Sequence, residues 1–225
     1  MADFATKEIV DLSHVIEDGM TTYPGLPGPH ICDFWERQST AGNYDDGSTF
    51  QIGQIEMVAN TGTYVDVPSH RFADGKDLSE VGIEAFANLP EVVVRQPFES
   101  GLAVEAAAFD GLDVRGCAVL VQTGWDRHWG TGLYYHDHPF VTAEAAERLI
   151  AGGAALVGID SHNIDDTRIR TRPVHTALLR AGIPICEHMS GLANVPDQGF
   201  RFTAAPPKVS GMGTFPVRAY ALVDA

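Results

Sequence analysis

The chain has 225 residues, with 15 Lys plus Arg against 30 Asp plus Glu, a formal net charge of -15 and an isoelectric point near 4.8. Hydrophobic residues at 44% and charged residues at 20% match a soluble globular chain and exclude a fibrous or disordered one. The acidic surface repels phosphate backbones and anionic lipid heads, so neither nucleic acid nor membrane is an expected partner. No apolar run approaches the ~20 residues that span a bilayer, and residues 1–8 lack an apolar signal core, so the expected location is cytoplasmic.

No linker, low-complexity tract or repeat divides the chain, so residues 1–225 are expected to form one domain. The first third, rich in Gly and Pro, reads as strands at 8–16 and 51–58 joined by long loops. Residues 60–72 then carry Asn60, Tyr64, Asp66, Pro68 and His70, a structured loop in which a turn brings the Asp66 carboxylate to the His70 imidazole. That pair suits metal binding or proton transfer, and equally a capping Asp with a surface His. Strands follow at 91–95 and 117–122, then an aromatic, His-rich loop with Trp125, His128, Trp129 and His136-Asp-His138, which reads as a substrate wall, a packed loop or a subunit contact.

Thr142 as N-cap and Gly152-Gly153 as stop bound a helix, and a short apolar strand at 155–159 ends in the polar cluster Asp160, Ser161, His162, Asn163 and Asp165. Pro173 opens a second helix that carries His175 and ends at Gly182. A strand at 183–186 leads into Glu187-His188, and the last strand is expected at 215–223. Alternating helix and strand after Thr142 mark a mixed α/β fold, in which polar strand exits are the usual ligand sites. Asp66, His175 and Glu187 offer the oxygen and nitrogen donors of a three-ligand metal site, although spacing alone leaves a hydrogen-bonded core His175 open. Cys32, Cys117 and Cys186 are odd in number and form no CxxC pair; Cys117 and Cys186 sit in apolar runs and read as small buried hydrophobes.

These residues together resemble the cyclase family of metal-dependent amidohydrolases, which includes bacterial kynurenine formamidase and isatin hydrolase. The likeness runs from Asp11-Leu-Ser-His14 through Thr123-Gly-Trp125 and Gly158-Ile-Asp160-Ser161 to Pro216-Val-Arg218. The family motif His-x-Gly-Thr-His-x-Asp-x-Pro-x-His reads here Asn60-Thr-Gly-Thr-Tyr64-Val-Asp66-Val-Pro-Ser-His70. The resemblance implies a swivelling β/β/α fold in a homo-oligomer, dimer or tetramer, acting on a small-molecule substrate. It also implies that the first metal position, which has lost both histidines, is empty, and that one divalent ion, zinc or manganese, sits on Asp66, His175 and Glu187. His70 is the implied proton-transfer residue.

The expected activity is hydrolysis of an amide, lactam, arylformamide-like or lactone bond. Catalytic roles fall to His70, Asp66 and Tyr64, and substrate contacts to Asn60, Trp125 and His162. The Tyr64 hydroxyl is expected at the vacated first-ion position, facing a substrate carbonyl or Asp66, with a plug filling that space as the alternative. The competing functions are metal-free cyclisation or dehydration by Tyr64, Asp66 and His70, and non-catalytic ligand binding.

Overall fold

The computed structural model describes residues 7–224. In chain order the elements are β1 (Lys7–Asp11), β2 (His30–Trp35), β3 (Ile52–Glu56), β4 (Tyr64–Asp66), β5 (Leu89–Arg95), β6 (Ala103–Val104), β7 (Ala118–Gln122), β8 (Phe140–Val141), α1 (Ala143–Gly152), β9 (Leu156–Ile159), α2 (Pro173–Arg180), β10 (Ile185–Glu187), β11 (Phe200–Thr203), β12 (Thr214–Pro216) and β13 (Tyr220–Asp224). The expected mixed α/β fold is present.

Nine strands form one sheet in the order β1-β13-β11-β5-β7-β9-β10-β4-β12. Its centre, β5, β7, β9 and β10, is parallel, and the flanking pairs on both sides are antiparallel. The central strands are short Val, Ile and Leu runs because both faces are covered. Leu120 and Leu156 face one apolar cluster with Val65, Phe86 and Phe202. Their neighbours Val119, Val121 and Val157 face the other, where α1 and α2 insert Leu149, Val174 and Leu178. Gly158 allows this packing: a Cβ there would lie 2.6 Å from Met189 Sδ and 2.9 Å from Leu120.

α1 begins and ends where its punctuation indicated, and α2 begins on Pro173 as expected but ends at Arg180, before Gly182. Thr142 Oγ1 accepts from the Ala145 N–H at 3.3 Å, and Gly153 closes α1 at φ 80.

Several strand expectations need correction. The strand expected at 8–16 stops at Asp11, beyond which only Ser13 makes an isolated bridge, to Met189. The strand expected at 215–223 is two strands, because the chain leaves β4 after Pro216 and joins β1 and β11 as β13. The segment between them ties the two sheet edges together: Val217 N–H donates to Thr63 O and Leu12 N–H to Ala219 O, both at 2.9 Å. Residues 51–58 do hold β3, but its partner β2 carries no apolar alternation because the β2–β3 hairpin stands away from both cores. Cys117 is half-buried where a buried thiol was expected; Cys186 is buried, and all three cysteines are free.

Candidate functional site

Three adjacent strands lay out the site by register. β4 lies between β10 and β12, with Tyr64 opposite Glu187 and Asp66 opposite Thr214. Residues two apart on a strand share a face, so these four side chains sit together as two cross-strand pairs. Both pairs are hydrogen-bonded: Tyr64 Oη donates to Glu187 Oε2 at 2.7 Å, and Thr214 Oγ1 donates to Asp66 Oδ1. The chain then turns through Pro68–His70, which brings His70 Nδ1 to 2.8 Å from Thr214 Oγ1. From the other side, α2 delivers His175. The Asp165 carboxylate accepts from the Val174 N–H (2.8 Å) and His175 N–H (3.0 Å) in the first turn of α2, and from His175 Nδ1 (2.7 Å). One acid thus caps the helix and aims the imidazole.

Asp66, His70, His175 and Glu187 line a single cavity of about 270 Å³. His175 Nε2 is 3.5 Å from both Asp66 Oδ2 and Glu187 Oε1. Burial opposes a charge on this imidazole, but Glu187, Asp165 and Asp66 outweigh it and carry its pKa up to about 10. Burial pushes Glu187 up to about 7, against the pull of His175. Burial, with the charges of Glu187 and Asp66, holds the Tyr64 phenol well above its ordinary value, so it remains a hydrogen-bond donor.

A divalent cation suits these groups. Asp66 Oδ2 is buried without any hydrogen-bond partner, and ligand atoms of Asp66, His70 and His175 lie within 4.8 Å of one another. Carboxylate oxygen and imidazole nitrogen are donors for zinc or manganese. Glu187 also borders this point, although both its oxygens already accept hydrogen bonds, Oε1 from the Ile164 N–H at 2.6 Å and Oε2 from Tyr64.

The remaining candidates divide. Asn60 lines the cavity. Trp125 does not: its indole N–H donates to Tyr134 O at 3.0 Å, and its ring packs edge-on against Phe98 and His128. His162 does not either; it lies behind the wall, its ring 4.8 Å from that of Tyr23, inside a buried group with Tyr134, His138 and His188. Burial drives its pKa down to about 3. His138 of the His136-Asp-His138 run spends both ring nitrogens on Pro139 O and Thr167 Oγ1. The Tyr64 hydroxyl faces Glu187, where Asp66 or a substrate carbonyl was expected.

The polar cluster after β9 serves three purposes. Asp160 accepts from the Thr123 and Gly124 N–H groups, Asn163 lines the cavity, and Asp165 caps α2. Sequence reasoning missed Tyr23, Leu26, Arg71 and Arg172 as cavity residues, and Thr214 as the partner of Asp66. A run of three cationic residues at alternate positions, Arg168, Arg170 and Arg172, was the available signal for the second arginine.

The sequence model of the Cyclase family ("Putative cyclase") matches residues 10–166. The chain belongs to the cyclase family. The match covers β4 and His70 and ends before α2 and β10. Kynurenine formamidase of Maricaulis maris (strain MCS10) is 24% identical over 215 residues, 93% of this cyclase-family chain and 95% of that protein. Kynurenine formamidase of Bacillus cytotoxicus is 26% identical over 214 residues, covering 95% and 96%. Among solved structures, isatin hydrolase A from Labrenzia aggregata superposes with a TM-score of 0.83 at 22% identity, over 97% of this chain and 94% of that one. A potential metal-dependent hydrolase with cyclase activity gives 0.79 at 23% identity, over 98% and 99%. These likenesses confirm the mixed α/β cyclase fold.

Proposed function

We propose that this cyclase-family chain hydrolyses an amide-type C–N bond (amide, lactam or arylformamide) or a lactone in a small molecule. The observation that carries the reading is Asp66 Oδ2, buried without a donor and 3.5 Å from a His175 nitrogen that is itself 3.5 Å from Glu187. The kynurenine formamidase relatives supply the bond class. One divalent ion, zinc or manganese, is assigned to Asp66, His175 and Glu187, with no second ion at Asn60 and Tyr64, since an amide and a phenol are poor replacements for imidazole. Such an ion lowers the pKa of water and polarises a carbonyl.

The chain's own part follows from its hydrogen bonds. Thr214 Oγ1 gives its proton to Asp66 Oδ1 and so can only accept from His70. His70 Nδ1 therefore carries the proton, and Nε2 is left free to take one from water and return it to the leaving group. Asp165 keeps His175 Nδ1 occupied, so Nε2 is the nitrogen presented to the cavity. Tyr64 holds Glu187 in place.

The test joins metal analysis of protein purified without chelator to assays on arylformamides, lactams and lactones. At most one divalent ion per chain is expected, with hydrolysis that chelation abolishes and His70→Ala lowers by about 10²- to 10⁴-fold. Two ions at full occupancy would overturn the single-ion assignment. Turnover that survives removal of all metal would favour the metal-free chemistry of Tyr64, Asp66 and His70.

A further inference from the structure

Two arginines stand at the cavity without an acidic partner. Arg71 and Arg172 line both the cavity of Asp66 and His175 and the surface groove beside it, which Arg170 and Arg180 also border. Acids outnumber bases 30 to 15 in this chain, and half of its twelve arginines, Arg95, Arg127, Arg148, Arg168, Arg180 and Arg218, each hold a carboxylate within 4.0 Å. Among the described residues Arg71 and Arg172 form no such pair. What sets them apart from the other arginines without such a pair, Arg37, Arg115, Arg170 and Arg201, is that both line the cavity of Asp66 and His175, where two cations side by side suit an external anion.

Both are held in position without being neutralised. Arg172 Nη1 donates to the carbonyl oxygens of Ile169 (2.7 Å), Thr171 (2.9 Å) and Asp166 (3.4 Å). Arg71 Nε donates to Thr176 Oγ1 at 3.2 Å, and that hydroxyl donates to Arg172 O at 2.6 Å, so one threonine joins the two. Nε and Nη2 of Arg172 and both Nη atoms of Arg71 keep their N–H groups for a ligand. Arg172, held by three carbonyls, is already ordered for an oxyanion, whereas Arg71 is exposed and held by one hydrogen bond.

The same cavity thus holds Arg71 and Arg172 together with Asp66, Glu187 and His175, and Tyr23 and Leu26 add apolar wall. We propose that Arg71 and Arg172 form a carboxylate clamp and that the substrate is a small organic acid whose carboxylate is separate from the bond that is cut. The clamp would point that bond toward Asp66 and His70; this part rests on the hydrolytic reading above. A singly charged carboxylate is favoured over a phosphate dianion because Asp66 and Glu187 share the same cavity.

The experiment measures calorimetric binding of benzoate, benzamide and phenyl phosphate to the chelated full-length protein, so that no ion can hold the anion. It is repeated with Arg71→Gln, Arg172→Gln and the pair, each checked for native circular dichroism. Arg172→Lys, which keeps the charge but not the fork, provides a second variant. Benzoate is expected to bind at least about ten-fold tighter than benzamide and to lose that advantage in the double variant, with Arg172→Lys intermediate.

The proposal is overturned by equal binding of benzoate and benzamide, by benzoate affinity unchanged in the double variant, or by no benzoate binding up to about 10 mM. Tighter binding of phenyl phosphate would overturn the choice of carboxylate. Assays on 2-formamidobenzoate and formanilide separate the two readings. If neither these nor the lactams and lactones of the assay above are cut while benzoate still binds through the arginines, the hydrolytic reading fails and the clamp stands; if both formamides are cut with equal kcat/KM, only the clamp fails.

Discussion

Tyr64 is a phenol in a place where the family motif carries a ligand histidine, and its partner shows what the replacement achieves. Its hydroxyl fills the demand of one buried Glu187 oxygen. Tyr64→Phe leaves that oxygen without a donor, at a cost of about 1–3 kcal/mol, which a lowered urea midpoint would register. An unchanged midpoint would mean that the ring alone matters. The same substitution site tests the metal count. Asn60→His combined with Tyr64→His restores two imidazoles and is expected to raise bound divalent metal above one per chain, read by mass spectrometry. At this scale Asp66, His70, His175 and Glu187 could be picked out in the sequence as polar residues at strand exits and a helix start, and the fold brings all four to one cavity. Thr214 and Arg172 were not legible, since their roles depend on neighbours far away along the chain. Trp125 and His162 have the chemistry of a binding wall, but packing turns their polar atoms into the protein.

Among the elements, α2 depends on a single residue outside it. Asp165 serves two N–H groups of the first turn and the His175 ring. Asp165→Ala is expected to cost about 1–2 kcal/mol through the lost cap. It should also lower the His175 pKa from its raised value, which imidazole NMR of the metal-free protein can follow; a titration unchanged by the substitution would refute Asp165 as its orienting partner. The central strands and both helices could be read in advance because burial on two faces and capping leave local marks. β4 and β12, three residues each, could not. Their pairing partners are supplied by topology, and the β2–β3 hairpin lacks the one-sided burial that produces alternation.

For the molecule as a whole, three buried groups make stability depend on pH in one direction. His175, with a folded pKa of about 10 against an ordinary 6.5, contributes stability that is complete below 6.5 and lost as pH rises through 10. Glu187 and Asp160, both near 7 because of burial, favour their protonated forms in the fold and lose stability as pH rises from their ordinary values toward 7. Four buried histidines act in the opposite direction: burial lowers His14 to about 4 and His162 to about 3 and depresses His138 and His188, so stability is also lost as pH falls below their ordinary 6.5. The urea midpoint of chelated protein is therefore expected to peak near about pH 7 and to fall toward both about pH 9 and about pH 5, and a midpoint that rises steadily from about pH 9 to about pH 5 would contradict this balance. Metal uptake should tighten with pH, because His175 must give up its proton. The exposed Phe34, Trp35, Ile52 and Ile55 of the β2–β3 hairpin suit the expected homo-oligomer, which light scattering should find as a dimer or tetramer. The way the sheet is wired also bears on how the chain is made. β1 leaves the ribosome early, yet among the described residues its one sheet neighbour is β13, and β4, which β10 can join first, waits for β12 on its other side. A growing chain therefore carries Asp66 without Thr214 and a first strand with an open edge until nearly all of these residues have been synthesised. The hold of Thr214 on Asp66 and His70 is thus completed late, after β10 has already brought Glu187 to Tyr64.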